Sequence, residues 1–169
     1  MLIYLDSNIV QYCADNEDFI FGDASLTATG GEKLMKELIA LRRLVELDPL
    51  ASWTIAASPQ LVRELFAGKP KARQKRVYEV LVRAFDESEW RKDFPIDEQE
   101  VNEIEKSYSR LNLSSKDLRH LAQAIALHAS WFLTNDNGIL NRCQRMTLSL
   151  RVARVSDCLE EISVGLYLK

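Results

Sequence analysis

Leu2-Ile3-Tyr4-Leu5-Asp6-Ser7-Asn8 opens the chain with a short apolar run that ends in an acid and two further polar residues. Such a run, followed by residues that favour turns and helix starts, is typical of a buried strand that feeds a turn or a helix. Ligands of parallel α/β sheets bind beyond the carboxyl ends of the strands, so Asp6 is a candidate site residue. The simpler interpretation of Asp6 is a helix N-cap or an Asx-turn.

The rest of the chain alternates strand-like and helix-like patterns. Further strands are predicted at residues 53–57, 131–134 and 151–155, and the irregular stretch 85–96 leaves room for one more. Apolar residues recur at helical spacing in segments that start near residues 32, 58, 71, 97, 114 and 156. Residues 16–31 have a loop-like composition, and Asn137-Gly138 is a turn signal. This alternation predicts an α/β fold with a parallel sheet covered on both faces.

Size and composition favour one soluble domain. The 169 residues are 47% hydrophobic and 28% charged, with a net charge of −3. We therefore expect a single domain over residues 1–169, with any nucleic-acid contact confined to a local basic patch. Three well-separated cysteines without a C-x-x-C pair are expected to be small buried residues of a cytoplasmic protein. No signal peptide or membrane span is predicted.

Four carboxylates occupy positions that a parallel α/β fold would bring to one edge of its sheet. Asp6 and Asp136 follow strand-like runs, whereas Glu64 and Asp117 lie in the opening turns of helix-like runs. Taken singly, Glu64 could be a solvated helix residue, Asp117 part of a capping arrangement with Ser114, and Asp136 a turn residue. Taken together, four repelling acids require divalent cations, which favour oxygen ligands. The pattern therefore predicts metal-assisted phosphate chemistry.

The sequence resembles the PIN-domain ribonucleases, and its compact form resembles the toxin of VapBC toxin–antitoxin pairs. The resemblance rests on four short motifs that span residues 2 to about 162. They are Leu5-Asp6-Ser7-Asn8, the helix residue Glu64, Asp117-Leu118-Arg119-His120-Leu121-Ala122-Gln123-Ala124, and Leu133-Thr134-Asn135-Asp136. It implies a three-layer α/β/α sandwich around a mainly parallel, five-stranded sheet. It also implies Mg²⁺- or Mn²⁺-dependent hydrolysis of single-stranded RNA, an antitoxin partner and a homodimer.

The same resemblance implies roles for individual residues. Asp6, Asp117 and Asp136 would be metal ligands, and Glu64 a direct or water-mediated ligand. Ser7 and Thr134 would place hydroxyls near the site, and Asn8 would brace its backbone. The sequence departs from the family pattern in two places. The segment from Asp15 to Gly31 is longer, and we interpret it as a partner surface or a lid. Gly138 stands where many members carry a second acid.

Basic and aromatic residues offer candidates for RNA binding. A run after the second predicted strand and its helix is either a phosphate track or a solvated helix face. Its members are Lys69, Lys71, Arg73, Lys75 and Arg76. Arg142, Arg145, Arg151 and Arg154 form a second candidate patch, and Trp90 is a candidate for base stacking. His120 is either a catalytic base or, more simply, a hydrogen-bonded structural residue.

Three other functions fit parts of the pattern. A binding module with the same fold but no turnover would have no reason to retain four repelling acids. A housekeeping nuclease without an antitoxin would share the whole site. A phosphatase of the haloacid dehalogenase type requires Asp-x-Asp after the first strand, where this chain has Asp6-Ser7-Asn8. We predict that Asp6→Asn abolishes RNA cleavage while leaving the fold intact.

Overall fold

A parallel sheet forms the centre of the computed structural model, which describes residues 1–25, 31–47, 54–56, 58–67, 72, 75–77, 79 and 96–167. The strands are β1 (Leu2–Leu5), β2 (Thr54–Ala56), β3 (Trp131–Leu133) and β4 (Arg151–Ala153). They lie in the order β2-β1-β3-β4, and every neighbouring pair is parallel. Because β1 is flanked on both sides, its carboxyl end lies in the middle of the sheet edge.

The strand count differs from the five implied by the family resemblance, since the described residues contain four. Residues 85–95, in which the sequence left room for another strand, lie outside them. Strand positions agree with the predictions within two residues where both ends are described. Trp53 and Ala57, at the predicted ends of β2, also lie outside the described residues.

Helices follow the strands. They are α1 (Ser7–Asp15), α2 (Glu17–Ile20), α3 (Glu32–Leu47), α4 (Pro59–Phe66), α5 (Glu98–Ser107), α6 (Ser115–Ala126), α7 (Asn137–Cys143) and α8 (Val155–Tyr167), with a 3₁₀ turn at Ser109–Leu111. Ser58 and Ser114 cap α4 and α6 by accepting the amides of Leu61 and Asp117. These capping signals were read correctly from the sequence because a cap depends only on neighbouring residues.

Two local predictions were wrong. Asn137-Gly138 is not a simple turn but the first turn of α7, because the Asp136 side chain accepts the amides of Gly138 and Ile139. The segment predicted as a loop from residue 16 contains α2, where Ile20 is 3% exposed and belongs to the core. At least this part of the long segment is packed structure, which does not fit the interpretation as a lid.

Each face of the sheet supports its own apolar cluster, which makes a three-layer α/β/α sandwich. Side chains alternate along a strand, so Ile3 and Leu5 pack with α1, α3 and α8 on one face. Tyr4 and Phe132 pack with α6 and α7 on the other face, with ring centroids 5.4 Å apart. The predicted α/β/α architecture is confirmed.

The buried stripe of α3 is narrower than its sequence suggests. Leu38, Leu41 and Leu44 are at most 2% exposed, whereas Met35 and Ile39 are 38% and 42% exposed. The two exposed residues therefore lie outside the interface of α3 with the core.

All three cysteines are buried and free of disulfides, as predicted. Burial raises the pKa of the Cys13 and Cys158 thiols to about 12 and that of Cys143 to about 11. None is therefore a reactive thiolate near neutral pH. Among the described helices, none is long and apolar enough to span a membrane.

A buried acid joins α3 to the start of α8. Glu37 is 4% exposed, and its carboxylate accepts the Ser156 hydroxyl at 2.6 Å and the Ser156 amide at 3.2 Å. We expect Glu37→Leu to lower the free energy of unfolding by about 2–3 kcal/mol, because it leaves a buried amide and hydroxyl without an acceptor. Glu37→Gln, which keeps one acceptor, should lose less. Urea unfolding of the two variants checks the order; equal losses would contradict it.

Candidate active site

The carboxyl ends of β1 and β3 meet at Asp6 and Thr134. The Asp6 amide donates to the Leu133 carbonyl at 2.9 Å, and the Thr134 amide donates to the Ala153 carbonyl at 3.0 Å. The sheet hydrogen bonding thus continues one residue past the strands. Asp6 also caps α1, so the end of β1 and the start of a helix fix this residue together.

Asp6 is a buried carboxylate surrounded by donors. Its Oδ1 accepts the Ser7 amide at 2.6 Å, and its Oδ2 accepts from Asn8 Nδ2 at 2.6 Å and Thr134 Oγ1 at 2.7 Å. The residue is only 4% exposed. Burial raises the pKa of Asp6 and the charge of Asp117 adds to the rise, although the hydrogen bonds and His120 oppose it. A nearby cation would relieve this unfavourable charge.

Asn8 and Thr134 connect Asp6 to the loop that carries Asp136. Thr134 Oγ1 accepts from Asn8 Nδ2 at 3.0 Å and from the Asp136 amide at 3.1 Å. Asn8 Oδ1 accepts the Asn135 backbone amide at 3.1 Å. Asn8 therefore braces the backbone of this loop, and one hydroxyl lies between two of the predicted ligands.

Asp136 itself is exposed and serves as the N-cap of α7. Its Oδ1 accepts the amides of Gly138 at 2.6 Å and Ile139 at 3.1 Å. A Cβ at position 138 would lie 2.9 Å from that oxygen, so a larger residue there would require the exposed Asp136 carboxylate to shift.

Glu64 lies in the last turn of α4, not in its opening turns as predicted, because the helix ends at Phe66. It is the end of a chain of hydrogen bonds through the protein interior. Its Oε2 is 2.9 Å from His120 Nε2, and His120 Nδ1 is 2.9 Å from the Tyr4 hydroxyl. The Tyr4 hydroxyl is 2.6 Å from Ser58 Oγ. We call Ser58, Tyr4, His120 and Glu64 the relay. It joins α4, β1 and α6, which are far apart in sequence.

The hydrogen bonds of the relay all run in one direction, from Ser58 through Tyr4 and His120 to Glu64. Ser58 Oγ accepts the Leu61 amide at 3.1 Å, so its hydrogen is available to Tyr4. The Tyr4 hydrogen then goes to His120 Nδ1, and His120 Nε2–H donates to Glu64. Burial raises the pKa of Glu64, but hydrogen bonds from His120 and Gln60, with the charges of Lys116 and of His120 in its protonated form, outweigh burial and leave it lowered. Burial strongly raises the pKa of Tyr4, which stays a neutral donor.

Asp117 lies in the first turn of α6, as predicted, and is partly buried. Its Oδ2 accepts the Ser114 hydroxyl at 2.7 Å, and its amide donates to Ser114 Oγ at 3.2 Å. The capping arrangement is therefore present. It coexists with an unfavourable electrostatic effect of Asp117 on Asp6, which adds to the rise in the pKa of Asp6.

The predicted ligands form two linked groups in the structure. Asp6 and Asp136 are joined through Thr134, and Glu64 is joined to His120 on the helix that carries Asp117. Within the described residues, no three His, Cys, Asp or Glu side chains form a group that could hold a metal ion as placed. The oxygen donors fit the chemistry of Mg²⁺ or Mn²⁺, but each carboxylate is engaged with protein donors instead of a common point.

The predicted phosphate track is described only in part. Lys75 and Arg76 are exposed, and Lys75 pairs with Glu79 at 3.6 Å. Lys69, Lys71, Arg73 and Trp90 lie outside the described residues. In the second patch, Arg151 lies over the Trp131 ring and pairs with Glu161, while Arg154 donates to Asn137.

Sequence reasoning missed Tyr4 and assigned Ser58 only its capping role. Tyr4 looked like a core residue of an apolar strand, and it is 0% exposed. The available signal was its hydroxyl, since a buried tyrosine hydroxyl requires a partner. His120, with two such partners, matches the interpretation as a hydrogen-bonded residue.

No protein-family model and no curated protein matches the chain. A solved structure does: the crystal structure of VapBC2 from Rickettsia felis bound to a DNA fragment from their promoter. The match covers 90% of this chain and 97% of that chain, with a TM-score of 0.55 and 19% sequence identity. The likeness is one of fold, to a component of a toxin–antitoxin complex.

Proposed function

We propose that the chain is a Mg²⁺- or Mn²⁺-dependent endoribonuclease that cleaves single-stranded RNA as the toxin of a toxin–antitoxin pair. The observation that carries the proposal is the Asp6 carboxylate. It is buried at the carboxyl edge of a parallel sheet, and burial and the charge of Asp117 raise its pKa. A buried carboxylate whose pKa is raised by a neighbouring charge is a functional-site candidate, and a bound cation would stabilise it in addition to its role as the cap of α1.

In this proposal, Asp6, Asp117 and Asp136 hold the ion, with Glu64 directly or through water. A bound divalent cation supplies Lewis acidity and a water of lowered pKa for phosphodiester hydrolysis. Asn8, Ser7 and Thr134 hold the Asp6 carboxylate in one orientation by hydrogen bonds. The relay holds the Glu64 carboxylate in one orientation in the same way. The proposal requires no side-chain nucleophile.

The partner is proposed from the fold likeness. The solved neighbour is a VapBC complex bound to promoter DNA. We infer an antitoxin for this chain as well, in a cytoplasmic complex, and a homodimer as its basic unit. A housekeeping nuclease is the alternative without an antitoxin, and a small DNA-binding protein encoded next to this chain would decide against it.

Mn²⁺ should stabilise the protein. Because a ligand that binds only the folded state adds RT ln(1 + [L]/Kd), we expect about 2.7 kcal/mol at a hundredfold excess over Kd. Asp136→Asn should lose most of this gain. Asp97→Asn is the matched control, because Asp97 is also an exposed helix N-cap that accepts the Gln99 amide at 2.8 Å, but it caps α5 and is not one of the proposed ligands.

Thermal unfolding with and without Mn²⁺, followed by cleavage assays on unstructured RNA, separates the functions. Mn²⁺ binding together with RNA cleavage that a chelator stops fits the proposed nuclease. Binding without cleavage would favour a module that kept the site and lost turnover. An unfolding midpoint that Mn²⁺ does not change would remove the metal from the proposal.

A further inference from the structure

We propose that a cavity next to the candidate active site binds one nucleotide of the RNA strand. The cavity has a volume of about 460 Å³ and is lined by residues that include Tyr12 of α1, Lys33 of α3, Asn135, Asn137 and Arg154. Its size falls in the range of small-ligand sites, roughly 300–1,000 Å³. The inference rests on the proposed nuclease function and adds a subsite to it.

The cavity and the carboxylates share one short loop. Asn135 and Asn137 line the cavity and flank Asp136 on either side. The Asn135 backbone amide is held by Asn8, whose side chain also donates to Asp6. A phosphodiester at the carboxylates would therefore have a neighbouring nucleotide close to this cavity.

Asn135 lines the cavity and could present a side-chain acceptor to a ligand with N–H groups once its side chain rotates toward the cavity. As placed, its side-chain carbonyl is buried and has no hydrogen-bond partner among the described residues, so no hydrogen bond to that oxygen opposes the rotation. A buried acceptor without a donor is costly, by about 1–3 kcal/mol. Nucleobases carry amino and imino donors on their edges, and an unpaired base presents them freely.

The other walls fit the remaining parts of a nucleotide. Arg154 is oriented by its hydrogen bond to Asn137 and has further N–H groups for a phosphate. Lys33 adds a second, exposed cation, and Tyr12 offers a partly buried aromatic ring for stacking. Two carboxylates also line the cavity: that of Glu37 is occupied by Ser156, and that of Glu32 is exposed. A base can stack on the Tyr12 ring while its phosphate reaches Arg154 or Lys33, and this combination favours RNA over an acidic peptide.

Binding can be tested apart from cleavage. Fluorescence anisotropy with a labelled eight-nucleotide single-stranded RNA of mixed sequence, in EDTA, measures affinity without turnover. We expect Arg154→Gln and Lys33→Gln each to raise Kd by about fivefold to tenfold through loss of a phosphate contact. Arg110→Gln, which removes an exposed cation from the 3₁₀ turn, is the matched control and should leave Kd unchanged. Thermal unfolding of each variant reports whether it is folded.

Base reading is tested with Asn135→Ala on a pool of randomised RNA in Mn²⁺. The wild type should prefer particular bases at one position next to the cut, and the variant should lose that preference while still cutting. Cleavage with unchanged preference and unchanged Kd in all three variants would refute the subsite and leave the nuclease standing. RNA binding that depends on Arg154 without any cleavage would refute the nuclease and retain the subsite.

Discussion

Asp6→Asn is expected to abolish metal-dependent RNA cleavage while the protein remains folded. Residues that only orient metal ligands change activity by about 10–100-fold when replaced, so loss of a ligand carboxylate should reduce the rate by on the order of 10³ or more. The amide keeps the size of the side chain and one acceptor for the α1 cap. Rates on a single-stranded RNA with Mn²⁺, beside the Asp97→Asn control, measure the effect. A cleavage rate within about tenfold of the wild-type rate would contradict the assignment of Asp6 as a metal ligand, because about tenfold is the smallest effect of a residue that only orients a ligand.

The same variant has a distinct dependence on pH. The folded-state pKa of Asp6 lies above its ordinary value of 3.8. Between those two values the folded protein binds more protons than the unfolded chain, so Asp6 lowers the stability of the wild type as pH rises through this window. The asparagine side chain of the variant does not titrate, and the variant should therefore gain stability relative to the wild type from about pH 4 upward. Urea unfolding in EDTA across this range checks the sign, and parallel curves would contradict it.

His120→Leu is expected to have the largest effect on stability among the site variants. Leucine removes both hydrogen bonds of the imidazole and leaves the buried Tyr4 hydroxyl with Ser58 alone. Glu64 keeps its bond to Gln60. We expect a loss of about 2–4 kcal/mol. Calorimetry should also show Mn²⁺ affinity about tenfold weaker, because Glu64 loses its orienting partner.

Tyr4→Phe tests whether the relay acts as a unit. It should lose about 1–2 kcal/mol, and the double variant with His120→Leu should lose less than the sum of the single losses, by about 0.5–3 kcal/mol. Tyr108→Phe, at the half-buried C-cap of α5, is the control for loss of a tyrosine hydroxyl. Strict additivity of Tyr4→Phe and His120→Leu would show that the hydrogen bonds in the relay are energetically independent.

Local signals predicted most of the fold. The apolar run of residues 2–5 and the capping serines Ser58 and Ser114 depend on near neighbours, and they gave the strand and helix starts correctly. Asn137-Gly138 was misread because the residue that decides it, Asp136, was interpreted as a turn residue and not as a helix cap. The short helix α2 was missed because its stability comes from packing against α3, with Arg42 over the Phe19 ring at 5.3 Å.

The sequence allowed the candidate acids to be proposed, but not their supporting hydrogen bonds. Asp6 and Asp136 follow strands and Asp117 opens α6, which is visible in the sequence, whereas Glu64 lies in the last turn of α4. The partner of Tyr4, in contrast, lies 116 residues away at His120, and no local pattern encodes that distance. The orientation of the carboxylates could therefore be known only from the tertiary structure. The role of Lys69, Lys71 and Arg73 in RNA binding remains a prediction from the sequence.

The relay also predicts which positions change together in related sequences. The buried hydroxyl at position 4 keeps both of its hydrogen bonds only while position 120 carries an imidazole beside Ser58, and the imidazole in turn bonds the acid at position 64. Related sequences should therefore change positions 4 and 120 together, with phenylalanine at position 4 wherever an aliphatic residue replaces the histidine. A broad set of homologues in which these two positions vary independently would indicate that the hydrogen-bonded chain was never under joint selection.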